Sequence, residues 1–97
     1  MDMSQHPLAE VIRERAQYYR SLEETAPFEV GSGRAYSDML YDIEHSTEGF
    51  VEKYSNILHT LEGYNEPNED KAAEMRGYCC SIMEVFRLLK SYMRTSE

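Results

Sequence analysis

The chain has no tryptophan, only two cysteines and no long apolar run. Cys79 and Cys80 are adjacent, and on a helix they point about 100° apart, so they cannot form a disulfide with each other there. Cysteine used in this way is typical of a reduced intracellular protein with Cys79 in the core. No apolar stretch approaches the ~20 residues that span a bilayer, and the start MDMSQHPLAE lacks the regions of a signal peptide. We expect one domain over 1–97, in the cytoplasm, without membrane contact.

Positive charge is also scarce. Ten lysines and arginines stand against eighteen aspartates and glutamates, which gives a net charge of −8. DNA-binding proteins need a basic face, so direct DNA binding is not expected. An acidic protein of this size suits a basic protein surface as its partner, for instance a nucleic-acid-binding site.

Catalytic and metal-binding motifs are absent from the sequence. Di-metal helical bundles carry Glu-x-x-His pairs on two helices, whereas Glu44 directly precedes His45, and His59 precedes Glu62 in the reverse order. No phosphate loop, H-E-x-x-H motif or Ser-His-Asp arrangement is visible. We therefore expect neither an enzyme nor a metal site nor a cofactor.

Apolar residues recur in two long segments with alternating spacings of four and three. An average of 3.5 residues keeps side chains on one side of a helix that packs along its length. The pattern predicts an all-α fold in which a short first helix packs on a long antiparallel helical hairpin that oligomerises. The two seams consist of Tyr36, Leu40, Ile43, Thr47, Phe50, Tyr54, Ile57 and Leu61, and of Ala72, Met75, Cys79, Ile82, Phe86, Leu89 and Met93.

Proline and glycine set the expected ends of these helices, at about 5–24, 34–62 and 69–94. The stretch 26–33 contains Pro27 and two glycines and is predicted to end the first helix, with Ser32 as the N-cap of the second helix. Gly49 lies inside that helix, so we expect that either the helix bends there or, the favoured alternative, another backbone packs closely against it. Asn68 is predicted to cap the third helix.

The third helix carries a second apolar seam beside the first. Two adjacent seams make a face wider than one partner helix can cover. We therefore expect the protein to associate with itself as a dimer or larger oligomer. The predicted interface residues are Tyr78, Val85, Leu88 and Tyr92.

One segment suggests an anion site. Flexible glycines, followed by the free amides of a helix start and by an arginine, form a typical binding site for negatively charged groups. The sequence Gly31-Ser32-Gly33-Arg34 fits this description.

The segment around that arginine resembles a known family. Arg34, Ser37, Leu40, Ile43 and Glu44 match the R-E-x-S-x-x-L-T-x-L-E segment of the phage anti-CBASS and anti-Thoeris cyclic-nucleotide sponges. Upstream, residues 12–16 are similar to the family's L-R-x-K-A. The family's glutamate and threonine are replaced by Ala35 and Tyr41. The resemblance implies a small helical oligomer that traps cyclic nucleotides between subunits, with Arg34 and Ser37 as ligand contacts.

Two functions are therefore open. The first is a non-catalytic protein that acts through protein–protein interaction, such as a phage- or plasmid-encoded inhibitor or regulator. The second is a phage anti-defence sponge for cyclic nucleotides in the host cytoplasm. A sponge requires Arg34 to lie in a cleft with further cations and an aromatic ring. The candidate anion-site residues are Arg34, Ser37, Ser32 and Gly33. A protein-binding module requires an exposed apolar or acidic patch.

Overall fold

The computed structural model describes residues 7–45 and 48–95, with side chains as far as Tyr92. All regular secondary structure in these ranges is helical, which confirms the all-α prediction. The helices are α1 (Pro7–Ser21), α2 (Pro27–His45), α3 (Phe50–Glu62) and α4 (Glu69–Thr95). No helix in these ranges combines the length and apolar character that a membrane crossing needs.

The second helix begins at Pro27, so the predicted start at residue 34 is wrong. Proline is favoured at the first position of a helix because its missing N–H would have no helical partner there. Two residues later, the Glu29 carboxylate accepts the N–H of Ala26 at 3.1 Å, as in one half of a capping box. Ser32 is therefore an interior residue of α2 and not its cap. The first helix ends at Ser21, before the predicted residue 24, and its predicted start at residue 5 lies outside the described residues.

Gly49 separates α2 from α3, so the predicted single helix over 34–62 is wrong. Its φ of 75° is left-handed, a conformation that glycine adopts without steric cost. Of the two expectations for Gly49, the packed backbone is wrong, because a Cβ built there would have no heavy atom within 4 Å, and in place of the bend the structure has an interruption between two helices. The glycine is needed for its conformation and not for close packing.

The fourth helix spans Glu69–Thr95, close to the predicted 69–94. The Asn68 side chain caps it as expected, accepting the N–H of Lys71 at 3.0 Å. Glu69 and Asp70 lie in its first turn, where negative charge complements the helix dipole.

Two glycines allow α2 and α4 to cross with their backbones in contact. A Cβ on Gly31 would overlap the carbonyl oxygen of Glu74, and one on Gly77 would overlap that of Phe28. At the same crossing, buried Ser32 donates its hydroxyl hydrogen bond to the Gly77 carbonyl at 3.2 Å. Gly31, which the sequence suggested as a helix breaker, thus permits this contact together with Gly77.

The core lies where α1, α2 and α4 meet, and α3 packs mainly on α4. Of the predicted seam residues, Thr47 and Met93 lie outside the described side chains. The fully or almost fully buried apolar residues are Leu8, Ala9, Ile12, Ala16, Ala35, Tyr36, Met39, Leu40, Ile43, Phe50, Tyr54, Ile82 and Val85.

Candidate functional site

Three of the four residues predicted to bind an anion line one groove between the end of α1 and α2. They are Gly33, Arg34 and Ser37, and we call this cavity of about 360 Å³ the Arg34 groove. Ser32 is buried at the α2–α4 crossing instead. The prediction of free backbone amides at this segment is wrong. The N–H groups of residues 31–34 lie beyond the first turn of α2, so they donate hydrogen bonds within the helix.

The Arg34 groove also receives a second cation and an aromatic ring from α1. Arg20 and Tyr19 line it together with Arg34. Neither arginine forms an ion pair with any described residue. The carboxylate in the groove is Glu29, which already accepts the Ala26 N–H. Two unpaired guanidinium groups and the Ser37 hydroxyl can therefore interact with an anionic ligand.

Neighbouring rings hold Tyr19 in position. Its ring stacks on that of Tyr36, with centroids 5.8 Å apart and 11° between the planes. Arg15 donates a 3.0 Å hydrogen bond to the Tyr36 hydroxyl and lies 3.8 Å from Glu84 on α4. The Tyr18 and Tyr19 rings are nearly perpendicular, with centroids 5.1 Å apart and 81° between the planes. This arrangement joins three helices and makes the Tyr19 ring a rigid wall of the groove.

A second groove of about 490 Å³ lies between α2, α3 and α4, and Arg34 also lines it. Tyr78 donates a 2.7 Å hydrogen bond to Asp38 there, and we call it the Asp38 groove. Burial, together with this bond, raises the pKa of Tyr78. Lys71 adds a cation, but Glu66 and Glu74 add carboxylates. The mixed charge makes this groove less suitable for an anion than the Arg34 groove.

A third groove of about 480 Å³ lies on the other side of α3 and is named the Cys79 groove after its half-buried thiol. Leu61 and Met75 contribute apolar surface to it. Phe28 and Tyr64 line it while being 42% and 57% exposed. Burial raises the pKa of Cys79, with help from Cys80 and Glu62, so the thiol stays protonated at neutral pH. The groove is an apolar surface depression and not a reactive-cysteine site.

The predicted interface residues lie mostly inside the protomer. Val85 is completely buried in the core, so its prediction as an interface residue is wrong. Tyr78, Leu88 and Tyr92 are half-buried and pack against the core. The second seam of α4 faces other helices of the same chain, which cover more of it than the sequence suggested.

Sequence reasoning missed Tyr19, Arg20 and Phe28 as groove residues. The adjacent Tyr19 and Arg20 near the end of α1 carried a weak signal, since an aromatic ring beside a cation is common at binding surfaces. Phe28 was assigned to a loop. Among the described residues, no group of three histidine, cysteine, aspartate or glutamate side chains could hold a metal ion.

Comparison with known proteins adds no relative. No family model, no curated protein and no solved structure matches this chain.

Proposed function

We propose that this protein is a small acidic binding protein without catalytic activity, whose partner is another protein. The observation that carries the proposal is the Cys79 groove, where two exposed aromatic rings flank an apolar depression. Exposed aromatic residues beside a pocket are typical of protein interfaces, because a ring offers a large contact area at low entropic cost.

Charge indicates the kind of partner. Glu62 and Glu66 border the Cys79 groove beside one cation, Arg76, and the whole chain carries −8. Acidic groups around an apolar centre favour a partner that presents an apolar side chain within a basic surface. An inhibitor or regulator encoded by a phage or plasmid, acting in the host cytoplasm, would have this form. We also propose that it self-associates.

A pull-down with matched variants tests the main proposal. Tagged wild-type protein is expressed in bacteria and compared with Phe28→Ser, Tyr64→Ser and Tyr41→Ser. Tyr41 is 61% exposed but lines none of the three grooves, so it is the control. A partner should be recovered with wild type and Tyr41→Ser and lost with the other two. Recovery of no protein that depends on Phe28 and Tyr64 would contradict the proposal.

The second candidate is sequestration of cyclic nucleotides, and the Arg34 groove favours it. Arg20 and Arg34 provide two cations, and the Tyr19 ring, held in place by its stack on Tyr36, lines the groove beside them. Ser37 supplies a hydroxyl for a phosphate or a sugar. Calorimetry with cyclic di- and trinucleotides tests this function directly.

A further inference from the structure

The Asp38 and Cys79 grooves are neighbours that share part of their wall, which we call the partition. Leu61, Glu66 and Met75 line both cavities. Leu61 belongs to the last turn of α3, and Glu66 to the segment that follows, while Met75 belongs to α4. The partition is therefore made by two residues of α3 and its linker, placed against one residue of α4.

The N-terminal half of α3 is firmly held. Phe50 and Tyr54 are buried, at 3% and 0% exposure. The Tyr54 hydroxyl donates a 2.6 Å hydrogen bond to Oδ2 of Asp42, and Lys53 forms a 2.7 Å ion pair with the same oxygen. These contacts connect the first turns of α3 to α2.

The C-terminal half of α3 is held less. After Tyr54 no side chain of the helix is fully buried: Ile57 and Leu58 are half-buried where they pack against the core, and Leu61 is half-buried. The residues at 63–65 that continue the chain are exposed. Helical segments with little buried apolar surface open at a lower free energy than the core of a protein.

We infer that residues 55–62 of α3, with the linker that follows them, form a lid that swings about Phe50 and Tyr54. Outward movement carries Leu61 and Glu66 away from Met75. The two grooves then join into one continuous channel along α4, and the Cys79 thiol becomes more accessible. The movement belongs to the free protein and requires no partner.

The two cysteines provide the test, because both line the Cys79 groove but differ in burial. Cys79 is half-buried and Cys80 is exposed. In the Cys80→Ser variant, the rate of Cys79 alkylation by a maleimide is measured at fixed pH in increasing urea, below the unfolding transition. The matched control is the Cys79→Ser variant, in which the rate of Cys80 alkylation is measured in the same way. The reference is the slope of the free energy of global unfolding against urea concentration, measured for each variant.

Lid opening exposes less surface than global unfolding, so the logarithm of the Cys79 rate should rise with urea at a small but measurable slope. Cys80 should react without dependence on urea. A Cys79 slope equal to that of global unfolding would overturn the inference, since the thiol would then be reached only in the unfolded chain. A slope of zero would overturn it as well, because the thiol would then be reached without movement.

Hydrogen exchange gives an independent readout. Amides of residues 57–62 should exchange at least about tenfold faster than those of Ile82 and Val85 in α4. Equal rates in the two segments would mean that α3 and α4 open only together, and no lid would exist.

Discussion

Gly31 of α2 faces the backbone carbonyl of Glu74 in α4 so closely that a methyl group at its Cα would overlap the oxygen. Gly77 has the same relationship with Phe28 on the opposite helix. Backbone atoms cannot move aside as a flexible side chain can. A larger residue at either glycine must therefore push the two helices apart.

The first prediction concerns Gly31→Ala. Alanine should destabilise the protein by about 3 kcal/mol or more, at the upper end of the range for overpacked cores, even though it is a better helix former than glycine. Urea unfolding followed by circular dichroism measures the change. The control is Gly63→Ala, where a Cβ would have no neighbour closer than 3.9 Å and φ is −86°. That variant should stay within about 1 kcal/mol of wild type, and equal losses at both sites would contradict the close crossing.

The second prediction compares two neighbours on α4. Ile82 is completely buried, whereas Met83 is 55% exposed. Truncation of a buried isoleucine to alanine leaves a cavity and should cost about 2–5 kcal/mol. Met83→Ala should cost less than about 0.5 kcal/mol. Thermal unfolding of both variants tests the assignment, and a similar melting temperature for the two would mean that α4 is rotated about its axis.

The third prediction concerns the acid stability of the link between α2 and α3. Partial burial alone would raise the pKa of Asp42, but hydrogen bonds from Lys53 and Tyr54, with the Lys53 charge, lower it below its ordinary value. A lowered pKa in the folded state means that Asp42 stabilises the protein fully above about pH 4 and loses this effect as the pH falls through the folded value.

At neutral pH, Asp42→Asn should therefore lower the free energy of unfolding by about 1–2 kcal/mol. The difference from wild type should shrink as the pH is lowered to about 3, since wild type then loses the same contribution. Urea titrations at both pH values measure it. Val51→Ala, at an exposed position of α3, should show no such change with pH, and a constant difference for Asp42→Asn would contradict the prediction.

The sequence predicted the bounds of α4 better than those of α2. Asn68 caps α4 through a contact within four residues, which a local pattern can reveal. The start of α2 also carried a local signal, proline followed two positions later by glutamate, but Gly31 and Gly33 suggested a loop. Their place inside a helix depends on contacts with α4 and α1, and local helix propensity does not include such contacts.

The candidate site was predictable only in part. The local pattern singled out Arg34 and Ser37, and the structure places both in one groove with Arg20. Their neighbours on α1 come from another part of the chain, so no spacing rule could bring them together. The interface prediction failed at Val85 because α4 packs against more than one helix, and both of its seams reach the core.

The fourth prediction is self-association at micromolar concentration. A chain of this size leaves large apolar side chains exposed, among them Phe28, Val51 and Met83, and small domains often gain stability by association. Sedimentation over a concentration series should reveal species larger than the 11.3 kDa monomer. The Cys80→Ser variant is run in parallel, because the exposed Cys80 could form a disulfide dimer that has no apolar interface. A monomer at every concentration would contradict the prediction.

The fifth prediction separates the two proposed functions. If the Arg34 groove binds cyclic nucleotides, Arg34→Gln should abolish the heat of binding in calorimetry, because it removes one of the two arginines that line the groove. Ser37→Ala should weaken binding by a smaller factor. The charge-matched control is Lys90→Gln, an exposed position of α4 outside the three grooves, which should bind as wild type does. All variants should keep the helical circular-dichroism signal. If folded wild type gives no heat with any cyclic di- or trinucleotide, the sponge function is eliminated and the protein partner at the Cys79 groove is left. If Arg34→Gln and Lys90→Gln lose the heat of binding equally, the nucleotide is attracted by overall charge and not by a site at Arg34.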